Sequence, residues 1–366
     1  LPHSADIVHY LRLSLLEKVG PVNARKLVAY CGGVEAVFAQ NKKALCAIPG
    51  IGENIASLIL AQDTRARAEE ELVFMEKNGV TALSYFDERF PTRLSHCDDA
   101  PAILFTKGNA DLNKQKTIAM VGTRKATDYG RGFIREFLKD IRHLDPLIVS
   151  GLAYGIDITA HRESLKNGLS TVAVMAHGHD RIYPGEHRST ATKMLENGGL
   201  LTEFVSGTKP DRERFPMRNR VVAGMCDVTI VVESKARGGS MITGYLANGY
   251  NRDVFAVPGR VGDEQSAGCN LLIRNDVAHL LDNAEEFIKL MGWTEKEKTT
   301  TIQPSLFVEL NEEQSTLLGF LKNEPKTVDL ITLESEWPMS KVSPMLLELE
   351  FKGLVRTLPG KQYVRV

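Results

Sequence analysis

Four arginines crowd ten residues of the chain, "DRERFPMRNR" at 211–220: Arg212, Arg214, Arg218 and Arg220, with Phe215 and Pro216 among them and Asn219 between the last two. Guanidinium groups grip phosphate oxygens two at a time, and an aromatic face stacks a nucleobase, so the mixture suits a single nucleic-acid strand with unpaired bases. The competing reading is a solvated turn on which two of these arginines pair with Asp211 and Glu213. The same chemistry is offered at 120–130, "MVGTRKATDYG", where Gly122, Thr123 and Arg124 stand between an apolar run and a helical pattern. Backbone N–H groups at such a strand-to-helix turn receive phosphates.

Loops of this kind need a scaffold. Residues 117–282 alternate short apolar runs ("TIAMVG", "LIVSG", "TVAVMA", "LLTEF", "VTIVVES", "DVFAVPG", "AHLLD") with amphipathic helical patterns. Runs too apolar to face water, separated by helices, predict an α/β fold: an extended Rossmann-like parallel sheet covered on both faces. The region around "LSYFDERFPTRLSHCDDAPAILFTKGN" adds short apolar runs that suit edge strands.

Ligands of an open parallel sheet bind beyond the carboxyl ends of its strands. The loops expected there carry, in turn, Gly122-Thr123-Arg124; "SGLAYGID" with Ser150, Gly151, Gly155 and Asp157; "HGHDRIYPGE"; the arginine loop; "KARGGSMIT"; and Gly259-Arg260. A helix starting at Gly239 and Ser240, with Thr243 one turn on, presents its positive end to a phosphate, with ordinary capping by Ser240 as the alternative. No GxGxxG follows the first strand, the second ends in Ser150 where a ribose-binding acid would stand, and GxxxxGK[ST] is absent, so no nucleotide cofactor is expected. A row of amides and guanidinium groups suits several phosphates in succession.

His177 and His179 stand two apart beside Asp180, but no third ligand cluster accompanies them and no metal is expected. Asp180 and Arg181 instead brace the Tyr183-Pro184 turn. No nucleophile-and-base pair is legible, and no catalytic residue is assigned. The enzyme alternative is a Rossmann-like nucleotide hydrolase similar to the phosphoribohydrolases, with the Gly239-Ser240 helix start for the phosphate and Glu203 as acid or base.

At 366 residues the chain is long enough for two or three domains. Residues 1–77 form a helical domain of helix-hairpin-helix or SAM-like type: "LCAIPGIGENIASLI" turns at Gly50-Ile51-Gly52, and "LEKVGPVNARKLV" echoes it with Asn23 in place of the second glycine. A compact spacer and a weak, sequence-blind DNA contact are both open to it. Residues 78–292 hold the Rossmann-like sheet, 293–310 a polar linker, and 311–366 three helices and a hairpin turning at Pro359-Gly360, a winged-helix pattern. No arginine run marks its third helix, which leans away from DNA reading. Net charge is −1, so any nucleic-acid surface is local. Five scattered cysteines without CxxC argue against zinc or disulfides, and neither a membrane span nor a signal core is legible, so the expected location is the cytoplasm. The first residue, Leu1, suggests that a preceding segment has been removed.

The ordered motifs "VGTRKATDYG", "SGLAYGIDITAH", "HDRIYP", "FPMRNRVVAG", "GGSMITGYLA" and "VFAVPG" followed by "GCNLLI" resemble the DprA/Smf family of DNA-processing proteins over essentially the whole chain. The resemblance implies a non-catalytic binder of single-stranded DNA that protects incoming strands and loads the RecA recombinase in natural transformation, working as a homodimer through the Rossmann-like domain. It carries DNA contact onto Gly122 and Arg124, onto Arg212 and Phe215, and onto Arg218, Asn219 and Arg220. Two departures touch the site: "HGHD" stands where the family more often has a GxD pattern, and Gly238-Gly239-Ser240 replaces Ser-Gly-Ser. With four or five phosphate contacts, the expected slope of log affinity against log salt is roughly −3.

Overall fold

The computed structural model describes residues 4–294, 310–321, 326–358 and 362–365. The chain divides into two compact units, Leu1–Trp293 and Thr294–Val366.

The first unit is built on a nine-stranded sheet. Its strands are β1 (Thr81–Ser84), β2 (Ile103–Gly108), β3 (Thr117–Val121), β4 (Leu147–Ser150), β5 (Thr171–Val174), β6 (Gly198–Thr202), β7 (Val228–Val231), β8 (Asp253–Ala256) and β9 (His279–Leu280). They lie in the order β1-β2-β6-β5-β4-β3-β7-β8-β9. The seven strands from β3 to β9 are parallel and correspond to the seven apolar runs of 117–282, while β1 and β2 add an antiparallel edge beside β6.

Successive residues of one strand serve opposite cores. Ile118 and Met120 pack with Ile134, Phe137, Ile230 and Phe287 on one face; Ala119 and Val121 pack with Val149, Val174, Val222 and Met241 on the other. Both faces being buried is what makes the strands read as continuous apolar runs. Each fully buried Phe or Leu contributes about 1.5–3 kcal/mol to this arrangement.

The chain starts at β3 and winds outward in two directions, through β4, β5 and β6 on one side and β7, β8 and β9 on the other. The loops leaving β3 and β7 therefore diverge, and the carboxyl edge opens between them.

The amino-terminal helices Ser4–Ser14, Pro21–Cys31, Val34–Ala39, Lys42–Cys46, Glu53–Ala61 and Arg65–Asn78 share one core, which runs from Leu11, Leu27 and Ile59 onto Ala82, Ile103 and Phe105 of the sheet edge. Both expected hairpins form, their second helices starting after Gly20 and Gly52, and Gly50 takes the left-handed turn with φ 90°. Glu71, buried on the last of these helices, accepts the Ser206 N–H at 2.9 Å and pairs with Arg67 at 2.7 Å, fastening the loop after β6 to the helices.

The second unit is a winged helix. Helices Glu312–Phe320, Val328–Ser335 and Met339–Phe351 enclose Leu317, Ile331, Val342 and Leu346, and strands Val355–Leu358 and Gln362–Arg365 pair beside them. The one basic residue of its third helix, Lys341, is held by Glu313 at 2.8 Å, and Leu347 and Phe351 are exposed. The Pro359-Gly360 turn and residues 295–309 of the linker lie outside the described residues. The five cysteines are free thiols, and no helix among the described residues is long and apolar enough to cross a membrane.

Two histidines, His161 fully buried and His179 half-buried, hold the sheet together as neutral rings. His179 Nε2 donates to the Phe105 carbonyl of β2 at 3.0 Å, and His161 Nδ1 donates to Thr171 Oγ1 at 2.7 Å, which donates onward to Ile148 O. Burial pushes His179 down to about 4 and His161 to about 3. Both lie below the unfolded value of ~6.5, so their contribution is complete above that pH and is lost as pH falls. Near pH 5 unfolding takes up about two protons through these rings, ~2.7 kcal/mol per pH unit. Urea midpoints measured from pH 6.5 to about 4.5 should show roughly half of this slope disappearing in His179→Gln.

Candidate nucleic-acid interface

A cleft of about 270 Å³ lies where the loops after β3 and β7 part. Its lining joins Gly122, Thr123 and Arg124 to Gly151 and Asp157, to Phe215, Arg218 and Asn219, and to Ser234, Lys235, Gly239, Ser240 and Thr243.

The loop after β3 is pinned from below. A side chain at Gly122 would meet Ile156 Cγ1 at 2.4 Å, so only glycine lets the turn approach the helix Ile156–Lys166 that follows β4. Thr123 N–H donates to Glu233 O at 2.7 Å, and the buried Glu233 carboxylate accepts Thr127 N–H at 2.9 Å. Arg124 projects from this braced loop. It is exposed, has no carboxylate partner among the described residues, and sets its guanidinium carbon 5.1 Å from the centroid of the half-buried Phe215 ring. Cation–π attraction orients the side chain before any ligand arrives.

Across the cleft, the helix Gly239–Gly249 begins after Gly238, with no side-chain bond capping its first turn. Ser240 Oγ donates to Ser234 Oγ at 2.8 Å rather than to its own helix, and the first turn, whose N–H groups lack intrahelical acceptors, lines the opening. Thr243 is buried in the wall beneath.

The floor holds two buried charged groups, Arg218 and Asp157. Arg218 donates to Val174 O and lies flat on Gly151, where an added Cβ would fall 1.8 Å from its Nη1. Asp157 faces it and accepts Ala153 N–H at 3.3 Å. Burial raises the Asp157 carboxyl and lowers the Arg218 guanidinium, while each charge acts on the other in the opposite sense.

Three expectations change. Arg218 is in the floor, not on the rim, with its charge compensated by Asp157. Arg220 lies outside the cleft, donating to Glu203 and to the Asp99 carbonyl. Ser150 is fully buried, its Oγ donating to Met120 O at 2.6 Å across two strands. The reason is helical phase: along Arg214–Gly224 the positions around Val221 and Val222 turn inward, and a cation carried inward requires an acceptor set. A run of arginines does not reveal that phase. Arg214 pairs with Asp211 at 3.8 Å, and Arg212 stays exposed without a partner among the described residues, three positions before Phe215. Asn219 is at the mouth, 3.5 Å from the Gly239 carbonyl.

The His177 and His179 rings are engaged by the backbone, and no group of three metal-ligating side chains occurs among the described residues. Not singled out from the sequence are Lys235, which lines the cleft and pairs with Glu264 at 2.6 Å, and the exposed Arg237, both inside the "KARGGSMIT" loop, of which Gly239, Ser240 and Thr243 were named.

Arg218→Ala leaves Asp157 buried without its counter-charge and should cost about 3–5 kcal/mol of stability, as should Arg220→Ala through Glu203. Arg212→Ala should stay within about 0.5 kcal/mol. Urea unfolding of the three variants checks the division between internal and exposed arginines.

Comparison with known proteins agrees with this geometry. The DNA recombination-mediator protein A family matches residues 81–292, and the DprA winged helix domain matches residues 303–361. The DNA processing protein DprA of Bacillus subtilis is 39% identical over 204 residues, 56% of this chain and 69% of that one. The crystal structure of DNA processing protein A from Streptococcus pneumoniae superposes with TM-score 0.67 at 31% identity, covering 77% of this chain and 96% of that one. A DNA processing protein A from Helicobacter pylori, described for its single-stranded DNA binding mode, superposes with TM-score 0.53 at 27% identity over 58% of this chain and 96% of its own. A switch-point cleft with no assigned catalytic group, a matching family over the sheet and a matching winged helix make one conclusion: this chain belongs to the DNA recombination-mediator protein A family.

Proposed function

We propose that the cleft binds single-stranded DNA, and that the chain protects incoming strands and delivers them to the RecA recombinase in the cytoplasm. The observation that carries this reading is Arg124: an exposed, carboxylate-free guanidinium held over Phe215, across from the open amino end of the helix Gly239–Gly249. A phosphate between them meets a cation and helix N–H groups, and its base meets an aromatic face. The H. pylori relative's single-stranded DNA binding supports it.

The contacts we assign are the Gly122-Thr123 turn, Arg124, Arg212, Phe215, Asn219, and Gly239 with Ser240. Gly151, Arg218 and Thr243 act by shaping the floor and wall. The homodimer is proposed through the sheet: β9 has an unpaired outer edge, and Leu280 on it is 47% exposed.

The hydrolase alternative loses its acid. Glu203 is half-buried, paired with Arg220, and does not line the cleft, and the family is one of recombination mediators rather than enzymes.

With three phosphates neutralised, by Arg124, Arg212 and the exposed Arg237, the expected slope of log affinity against log salt on a single strand is about −2, shallower than the arginine count alone suggests. Arg124→Glu should weaken binding roughly tenfold or more. Fluorescence anisotropy of a labelled oligonucleotide tests both, and an unchanged affinity in Arg124→Glu contradicts the reading.

A further inference from the structure

Phe215 has a neighbour that the binding reading leaves unused. Tyr183, on the loop after β5, is 47% exposed, and its ring centroid lies 6.2 Å from that of Phe215 with the planes inclined at 50°. Its hydroxyl makes no hydrogen bond among the described residues, so no internal contact of that group accounts for a large ring standing in water.

The backbone beneath the ring is fixed. His177 is buried; its Nδ1 donates to Gly178 O at 2.9 Å, which leaves the Nε2 lone pair to accept the Tyr183 N–H at 3.3 Å. Asp180, paired with Arg181 at 2.7 Å, accepts the Gly207 N–H at 2.9 Å and so ties this turn to the loop that leads into Phe215. An exposed ring and a half-buried one are thus held at a set separation by loops bonded to each other.

We propose that Tyr183 is a second base-stacking platform, receiving the nucleotide adjacent to the one on Phe215. The proposal rests on the single-strand reading above. A 6.2 Å step between ring centres is close to twice the ~3.4 Å spacing of nucleotides stacked along one strand, so the pair fits a strand pulled out of its own stack. The next exposed ring, Tyr154, donates its hydroxyl to the Glu186 carboxylate at 2.9 Å. An anion there opposes a phosphodiester, and the ladder ends at two rungs.

The test uses the full chain and a labelled oligothymidylate in fluorescence anisotropy. Tyr183→Ala should weaken binding about tenfold, Tyr183→Phe should bind within about twofold of the unchanged chain, and the salt slope should be the same in all three because no phosphate contact is removed. In a series of oligonucleotides with one abasic site moved along the strand, one position should weaken the unchanged chain yet leave Tyr183→Ala no weaker than before. Equal binding by Tyr183→Ala, or equal loss in Tyr183→Phe and Tyr183→Ala, overturns the second platform. No binding of any oligonucleotide by the unchanged chain overturns the single-strand reading as well, and that result is read before any Tyr183 variant is made.

Discussion

The cleft keeps its shape because a guanidinium lies under it: Arg218 rests against the Gly151 backbone, donates to the end of β5 at Val174, and faces the carboxylate of Asp157. Taking both charges out of water is costly, and the cost is offset by the attraction between the two charges, by the Val174 carbonyl on Arg218 and by the Ala153 N–H on Asp157. The constraint spreads outward. Gly151 must lack a side chain, and the helix that begins with Arg214 is held at the height that brings Phe215 to the mouth, opposite Arg124.

This division of labour explains how a chain of net charge −1 can present a nucleic-acid site. Several of the cationic groups near the carboxyl edge are neutralised in place: Arg218 by Asp157, Arg220 by Glu203, Lys235 by Glu264. Arg124, left free, sits on a loop braced by the buried Glu233 carboxylate. Few free cations give a modest electrostatic grip, and stacking on Phe215 supplies a component that salt does not screen.

Much of this was legible in the sequence. The seven parallel strands announced themselves because burial on both faces makes apolar runs, and the two helical hairpins because Gly50 needs a conformation other residues avoid. Gly122 and Arg124 were found because a strand-to-helix turn has a fixed relation to the sheet edge. The arginine loop was half read. Composition placed Phe215 at the cleft but gave no helical phase, so Arg218 and Arg220 were assigned to the rim when they point inward. The carboxylates that answer their charge, Asp157 and Glu203, are 61 and 17 positions away in the chain, and pairings of that kind are set by topology alone. Tyr183 was passed over for the same reason: only the folded sheet brings the loop after β5 against Phe215.

The central claim is that the switch-point cleft receives a polymer's successive anions and unpaired bases rather than one nucleotide. Competition against a bound, labelled single strand tests it most directly, with unlabelled single strand, duplex and mononucleotide compared at equal nucleotide concentration. The account predicts displacement by the single strand, weaker displacement by the duplex and none by the mononucleotide. Equal displacement by the mononucleotide would contradict it.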